Sequence, residues 1–108
     1  MPGPVPQLPP QELKALLAQA QPPLVLDVRN ALETAAEGFI AGARLLPLNE
    51  LPARFQELPR DQAIVCVCKS GMRSFNAAAF LRQQGYDASS LAGGMIAWLA
   101  AALPIARS

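Results

Sequence analysis

Cys68, Lys69, Ser70, Gly71, Met72 and Arg73 place a sulfur nucleophile, two cations and a glycine in six consecutive positions, directly after the apolar run Ala63–Val67. The chain contains no histidine, which removes Ser–His–Asp and Cys–His machinery and most zinc sites. Chemistry at Cys68 therefore has to proceed without an imidazole base. A free thiol is only about 3% thiolate at pH 7. A helix N-terminus stabilises an exposed anion by roughly 0.3–1 kcal/mol and a partly buried one by about 2, or around one pKa unit. Several backbone N–H donors to the charged sulfur, together with Lys69 and Arg73, can take the thiol below 7. A loop wrapped onto a helix start aims successive N–H groups into one hollow, and Gly71 can adopt a positive φ without a Cβ penalty. Arg73 is unfavourable for the macrodipole at that end of a helix, a hint that an anion visits. Cys66, one residue upstream of Val67, is expected to be a packed core thiol. A disulfide between Cys66 and Cys68 would be strained.

The elements around this loop can be read from periodicity. Leu13, Leu16, Leu17 and Ala20 follow i, i+3, i+4, i+7, which predicts a helix from near Pro10, ended by Pro22-Pro23. Leu24–Val28 and Ala63–Val67 are short continuous apolar runs, as expected for strands buried on both faces of a parallel sheet. Leu45-Leu46 and Ala88–Leu91 are shorter strand candidates, and Asn49 is a candidate cap for a short helix carrying Leu51 and Phe55. A helix is expected from Ser74 to Gln84, with Gly85 in the left-handed position that follows a helix. The last helix, entered through Gly93-Gly94, has the stripe Met95, Trp98, Leu99 and Ala102, with Ile96 and Leu103 on other faces. Strands alternating with helices predict an α/β domain with a mainly parallel sheet, and the loop at Cys68 then falls at the carboxyl end of a strand, where such sheets bind ligands.

Length and composition bound the rest. The chain has 108 residues, 52% hydrophobic and 16% charged, enough apolar material for one domain and no more. A net charge of +1, with acids and bases interspersed, excludes the basic stripe of a nucleic-acid binder and the polybasic run of a membrane-surface binder. The longest apolar stretch, Met95–Leu103, is well short of the roughly 20 residues a membrane-spanning helix needs. The proline-rich start reads as an extended lead-in over residues 1–7 ahead of a domain over 8–108, not as a secretory signal. A soluble, cytoplasmic protein is expected.

Four segments, in order, resemble the rhodanese family. Cys68-Lys69-Ser70-Gly71-Met72-Arg73-Ser74 resembles its C-x-x-G-x-R-S loop, and Leu26-Asp27-Val28-Arg29 with Glu33 its D-V-R…E segment. Gly38-Phe39-Ile40-Ala41-Gly42-Ala43, followed by Pro47-Leu48 and Glu50-Leu51, resembles G-H-I-P-G-A…P-L-x-E-L. Phe39 stands where the histidine is usual and Ala41 where the proline is. Gly93-Gly94-Met95-Ile96-Ala97-Trp98 resembles the closing G-G-x-x-A-W.

The resemblance implies a single rhodanese-like domain with a central parallel five-stranded sheet and helices on both faces. It implies a nucleophilic Cys68 that alternates between thiolate and persulfide, with no metal and no cofactor. The donor would be a small anionic sulfur compound such as thiosulfate, or another persulfide. The acceptor would be cyanide or a thiol, including one on a sulfur-carrier protein. Lys69, Ser70, Gly71, Met72 and Arg73 are the expected substrate-binding residues. Asp27 and Arg29 are expected to be structural, Arg29 pairing with Glu33 or tying a strand end to the following loop. Two alternatives remain: a cysteine-dependent phosphatase or arsenate reductase, and a non-catalytic rhodanese-like binding module. Phosphatase loops of related fold place five residues between Cys and Arg; here there are four, Lys69 to Met72.

Overall fold

The computed structural model describes residues 4–107; residues 1–3 of the expected lead-in, and residue 108, lie outside the described residues. Strands β1 (Gln7–Leu8), β2 (Leu24–Asp27), β3 (Arg44–Leu45), β4 (Ile64–Val67) and β5 (Ala88–Leu91) form one sheet in the order β1-β5-β4-β2-β3. Every pairing is parallel. Four α-helices connect them, α1 (Pro10–Leu17), α2 (Ala31–Glu37), α3 (Leu51–Arg54) and α4 (Met72–Gln83), and α5 (Gly94–Ala100) follows β5.

The continuous apolar runs become strands covered on both faces, because alternate side chains feed two separate cores. Leu26, Ile64, Cys66 and Ala88 join Leu51 of α3 and Ala77, Ala78 and Leu81 of α4. Val25, Val65, Val67 and Leu91 join Leu13 of α1 and Met95 and Trp98 of α5 on the other side. Gly85 takes φ +93 after α4, as expected of a left-handed terminus.

Local differences from the sequence expectation have identifiable causes. Helix α1 stops at Leu17, well before the proline pair, and Ala20 is left outside it and exposed. Asn49 caps nothing: it lies inside a 3-10 turn, Leu48–Glu50, that runs straight into α3. The side-chain cap is Asn30 instead. Its Oδ1 accepts the Glu33 N–H at 2.9 Å while Glu33 Oε1 accepts the Asn30 N–H at 3.2 Å, a reciprocal capping box. Strand β1 falls in the proline-rich stretch: the Ser90 N–H donates to Pro6 O and the Ala92 N–H to Leu8 O. Proline is tolerated there because β1 is an edge strand and Pro6 only accepts. After α5 the backbone turns left-handed at Ala102 (φ +58). That turn returns Leu103 to the core, while α5 faces inward through Met95 and Trp98 and leaves Leu99 and Ala102, both expected on the inward stripe, exposed.

The strand order positions the site. From β2 the chain passes to β3 on one side, and from β4 to β5 on the other, so adjacent β2 and β4 form the switch point of the sheet. The segments leaving their carboxyl ends diverge there and open a crevice. Asp27 at the end of β2 lies opposite Val67 at the end of β4.

Candidate active site

Cys68 follows β4 immediately and sits on the floor of the loop, 1% exposed, with Lys69, Ser70 and Met72 exposed around it. The Gly71 N–H donates to Cys68 Sγ at 3.1 Å and the Ser74 N–H at 3.3 Å. Ser74 Oγ lies 3.4 Å from the same sulfur. Gly71 takes φ +103 and precedes the first residue of α4, so the loop turns back on itself and the helix start faces the sulfur. The first backbone bond into α4 runs from the Phe75 N–H to Gly71 O, which leaves the Met72 and Arg73 amides ahead of it without an intrahelical partner.

The loop carbonyls are held away from the sulfur by a second helix. The Met95 N–H donates to Cys68 O at 2.8 Å and the Ile96 N–H to Lys69 O at 3.0 Å. These are orphan donors of α5, satisfied by the loop. The approach is so close that a Cβ on Gly94, whose φ is +60, would lie 2.5 Å from both carbonyl oxygens. Gly94 therefore belongs to the loop's support as much as Gly71 does.

This geometry decides the ionisation. Burial alone pushes the Cys68 thiol up, but hydrogen bonds from the Ser74 hydroxyl and from the amides of Ser74, Gly71 and Ser70 outweigh it and hold the pKa below the ordinary thiol value. Cys66 has the burial without the donors, and desolvation pushes it up to about 12, with the Cys68 charge adding to the rise. Cys66 is fully buried in the α4-side core. Two thiols two residues apart are thus separated in chemistry by which one ends at the loop.

The two loop cations already have partners. Arg73 makes a two-pronged contact with Glu33 on α2, Nη1 to Oε1 at 2.6 Å and Nη2 to Oε2 at 2.7 Å. The Arg73 hydrogen bond holds the Glu33 carboxyl down to about 2, and burial only partly offsets it. Lys69 Nζ stands 3.4 Å from Glu37 Oε2 on the same helix. The anion that Arg73 calls for at a helix start is thus supplied by the chain itself. This corrects the expectation that Arg29 pairs with Glu33. Arg29 is fully buried, donates to Asp27 through Nε at 3.0 Å and Nη2 at 2.8 Å, and reaches Gly38 O at 2.8 Å. It ties the end of β2 to the chain leaving α2, the other role its position allowed. Asp27 is 2% exposed and ends β2 opposite Val67, the residue before Cys68.

Three contributors are not evident from the sequence reading: Asn30, Glu37 and Ser90. Asn-x-x-Glu at Asn30–Glu33 is a capping-box signature that could have located α2. Glu37 and Ser90 carry no local signal, since each meets its partner only through the fold. Ser90 Oγ, fully buried on β5, lies 2.8 Å from Ser74 Oγ. Gly94 falls in the closing G-G-x-x-A-W segment, but its contact with the loop carbonyls has no signal in the sequence. A hollow of about 310 Å³ is bordered by Val28, Asn30, Pro47, Leu48 and, from the start of α4, Arg73. A larger one of about 780 Å³, bordered by Pro23, Asp61 and Asp87, lies at the amino ends of the strands, away from Cys68. Among the described residues no group of three or more His, Cys, Asp or Glu side chains is arranged to hold a metal, and no helix is long and apolar enough to cross a membrane.

Sheet order, switch-point loop and cradled sulfur together define an α/β domain built around one cysteine at a helix start. The chain belongs to the rhodanese family: the Rhodanese-like domain model matches residues 9–101. It is 42% identical over 96 residues to a sulfurtransferase of Allochromatium vinosum, covering 88% of this chain and 89% of that protein. It is 37% identical over 93 residues to the thiosulfate sulfurtransferase GlpE of Pseudomonas fluorescens, covering 85% and 83%. Among solved structures, a rhodanese-related protein of Thermoplasma volcanium superposes with a TM-score of 0.89 at 28% identity, covering 95% of this chain and 99% of that one. Kinship and fold place the chain among enzymes of the rhodanese type, with sulfurtransferase activity.

Proposed function

We propose that this protein moves a sulfane sulfur from thiosulfate or another persulfide donor to a thiophilic acceptor, cyanide or a thiol, with Cys68 as the carrier. The observation that supports this most directly is a cysteine sulfur receiving two backbone N–H bonds at 3.1 and 3.3 Å in a chain without histidine. The thiolate is stabilised by fixed dipoles, so it needs no base.

In the first half-reaction the Cys68 thiolate attacks the sulfane sulfur of thiosulfate, the S–S bond of the donor breaks, and sulfite leaves with the electron pair. In the second, an acceptor thiolate or cyanide attacks the outer sulfur of the Cys68 persulfide, and the Cys68 thiolate is regenerated as leaving group. This is covalent catalysis dividing one transfer into two. The amides of Ser70 to Arg73 hold the negative outer sulfur between the steps. A nucleophile so deeply seated suits the single projecting sulfur of a sulfane donor better than a tetrahedral phosphate.

Lys69 and Arg73 recruit an anionic donor in this reading, although Glu37 and Glu33 temper both. Asp27 and Arg29 are structural in this reading, tying the end of β2 to the chain after α2. The partners are thus a small sulfur donor and a thiol or cyanide acceptor, including a thiol on a sulfur-carrier protein, and the chemistry needs neither metal nor nucleic acid. The deciding test is mass spectrometry of intact protein after incubation with thiosulfate. A gain of one sulfur on Cys68, discharged by added thiol or cyanide and absent in Cys68→Ser, is the expected result. No gain, or robust hydrolysis of an aryl phosphate by the unaltered protein, would overturn the assignment.

A further inference from the structure

Ser90 and Ser74 form a buried chain of hydroxyls that ends on the nucleophile. β5 turns Ala88 and Ser90 toward α4, the same side as Cys66, with which Ser90 is in register. Both serines are fully buried. Ser90 Oγ has one hydrogen-bond partner among the described residues, Ser74 Oγ at 2.8 Å. Ser74 Oγ has two further neighbours, Gly71 O at 3.2 Å and Cys68 Sγ at 3.4 Å.

The protons can be counted. Each hydroxyl has one to give. Gly71 O only accepts, and so does Cys68 Sγ once it is a thiolate. Either hydroxyl could donate in the short Ser74–Ser90 contact, but a Ser74 that donated to Ser90 would leave the buried Ser90 hydrogen with no acceptor among the described residues; with Ser90 donating, both hydrogens are paired, Ser74 giving its own to one of these two. A donor behind Ser74 polarises its O–H toward the sulfur, since hydrogen bonds in series reinforce one another in a low-dielectric interior.

We infer that Ser90 is a positioning residue for the reaction, acting through Ser74 to hold the Cys68 thiolate and to follow its charge through the cycle. The relay has two settings. With the charge on Sγ, the Ser90 hydroxyl donates to Ser74 and the Ser74 hydroxyl donates to Sγ. When Sγ becomes the uncharged inner sulfur of a persulfide, the charge has moved one atom outward and Ser74 turns its proton to Gly71 O, still accepting from Ser90. No proton leaves the chain in either setting, so the charge shift proceeds without water or histidine.

This role presupposes Cys68 as the sulfur carrier, but its test does not require turnover. The rate of Cys68 alkylation by iodoacetamide, followed against pH, reports the thiolate midpoint directly. Ser90→Ala is expected to raise that midpoint by about half to one pH unit, the size of one lost hydrogen bond. Ser74→Ala is expected to raise it by at least as much. Ser90→Ala added to Ser74→Ala is expected to shift it no further, which a general packing defect would not reproduce. If Ser90→Ala fails to fold, Ser90→Cys, close in shape and a far weaker donor, is read in the same way. A midpoint unchanged in the Ser90 variant, or shifted equally with and without Ser74, overturns the relay. Loss of sulfur transfer in the unaltered protein with these shifts intact would instead count against the proposed function.

Discussion

Arg73 and Glu33, forty residues apart, meet through two short bonds that lock the loop after β4 to the first turn of α2. The contact follows from sheet order. Because β2 and β4 are neighbours, the helix after one lies beside the loop after the other. Glu33 also closes the capping box with Asn30, so one carboxylate both starts α2 and restrains a loop cation.

Releasing that restraint tests what the cation is for. Glu33→Gln leaves Arg73 with an unopposed charge near the sulfur. At about 1 kcal/mol for a unit charge pair at contact in water, KM for thiosulfate is expected to fall roughly five-fold at low salt. The gain should shrink as salt is added, because exposed charges are screened over about 8–10 Å at physiological salt. An uncharged organic polysulfide donor should show no such change. Steady-state kinetics with both donors decide the point, and equal effects on both would mean that Arg73 supports the loop without recruiting the donor.

The same pair carries a pH signature. Glu33 is depressed to about 2 in the folded chain, so its contribution to stability is fully present above the ordinary carboxylate value. It is lost as pH falls through the window down to about 2, where the unfolded state binds the extra proton first. Thermal melts of the wild type and Glu33→Gln should differ near neutrality and converge toward pH 2. A gap that persists in strong acid would show that the pair is not its source.

The two cysteines should separate cleanly. With Cys68 held below the ordinary thiol value and Cys66 pushed up to about 12, native protein at pH 8 should take up one alkyl group, on Cys68. Transfer should rise with pH and level off below the ordinary thiol pKa. Cys66→Ala should retain most turnover and Cys68→Ser none. Comparable loss from both variants, with circular dichroism unchanged, would indicate a dithiol mechanism.

Gly94→Ala should uncouple the loop from α5. The left-handed φ alone disfavours a side chain by roughly 1–2 kcal/mol, and the added Cβ meets the Cys68 and Lys69 carbonyls at 2.5 Å. The expected result is a lower melting temperature and a large loss of persulfide formation, because carbonyls pushed off α5 rotate the amides away from Sγ. Full activity in this variant would show that the loop holds its shape without α5.

Arg29→Ala removes the buried partner of Asp27, and an uncompensated buried charge typically destabilises by about 3–5 kcal/mol. Urea denaturation should show that loss, largely recovered when Asp27 is also replaced by Asn. No recovery in the double variant would place the weight of Arg29 on its bond to Gly38 O.

What the sequence determined by itself is what local rules govern. The apolar runs at Leu24 and Ala63 admit little other than doubly covered parallel strands. Gly71 and Gly85 mark two of the backbone positions where φ is positive. Cys68 is separated from Cys66 because one ends a strand at a helix start and the other lies within the strand. The tertiary structure alone decided which charges meet and what lies behind the nucleophile. By sequence Glu33 was a candidate partner for Arg29, and the neighbouring of β2 with β4 gave it to Arg73 instead. Ser90 looks like any small residue in a short strand until β5 turns it toward α4 and onto Ser74. Gly94 reads as a turn until α5 docks its amides on the loop carbonyls. β1, two residues among prolines, becomes a strand because β5 offers it an edge. These contacts join residues 16 to 83 positions apart, and patterns that span a few residues along the chain hold no record of them.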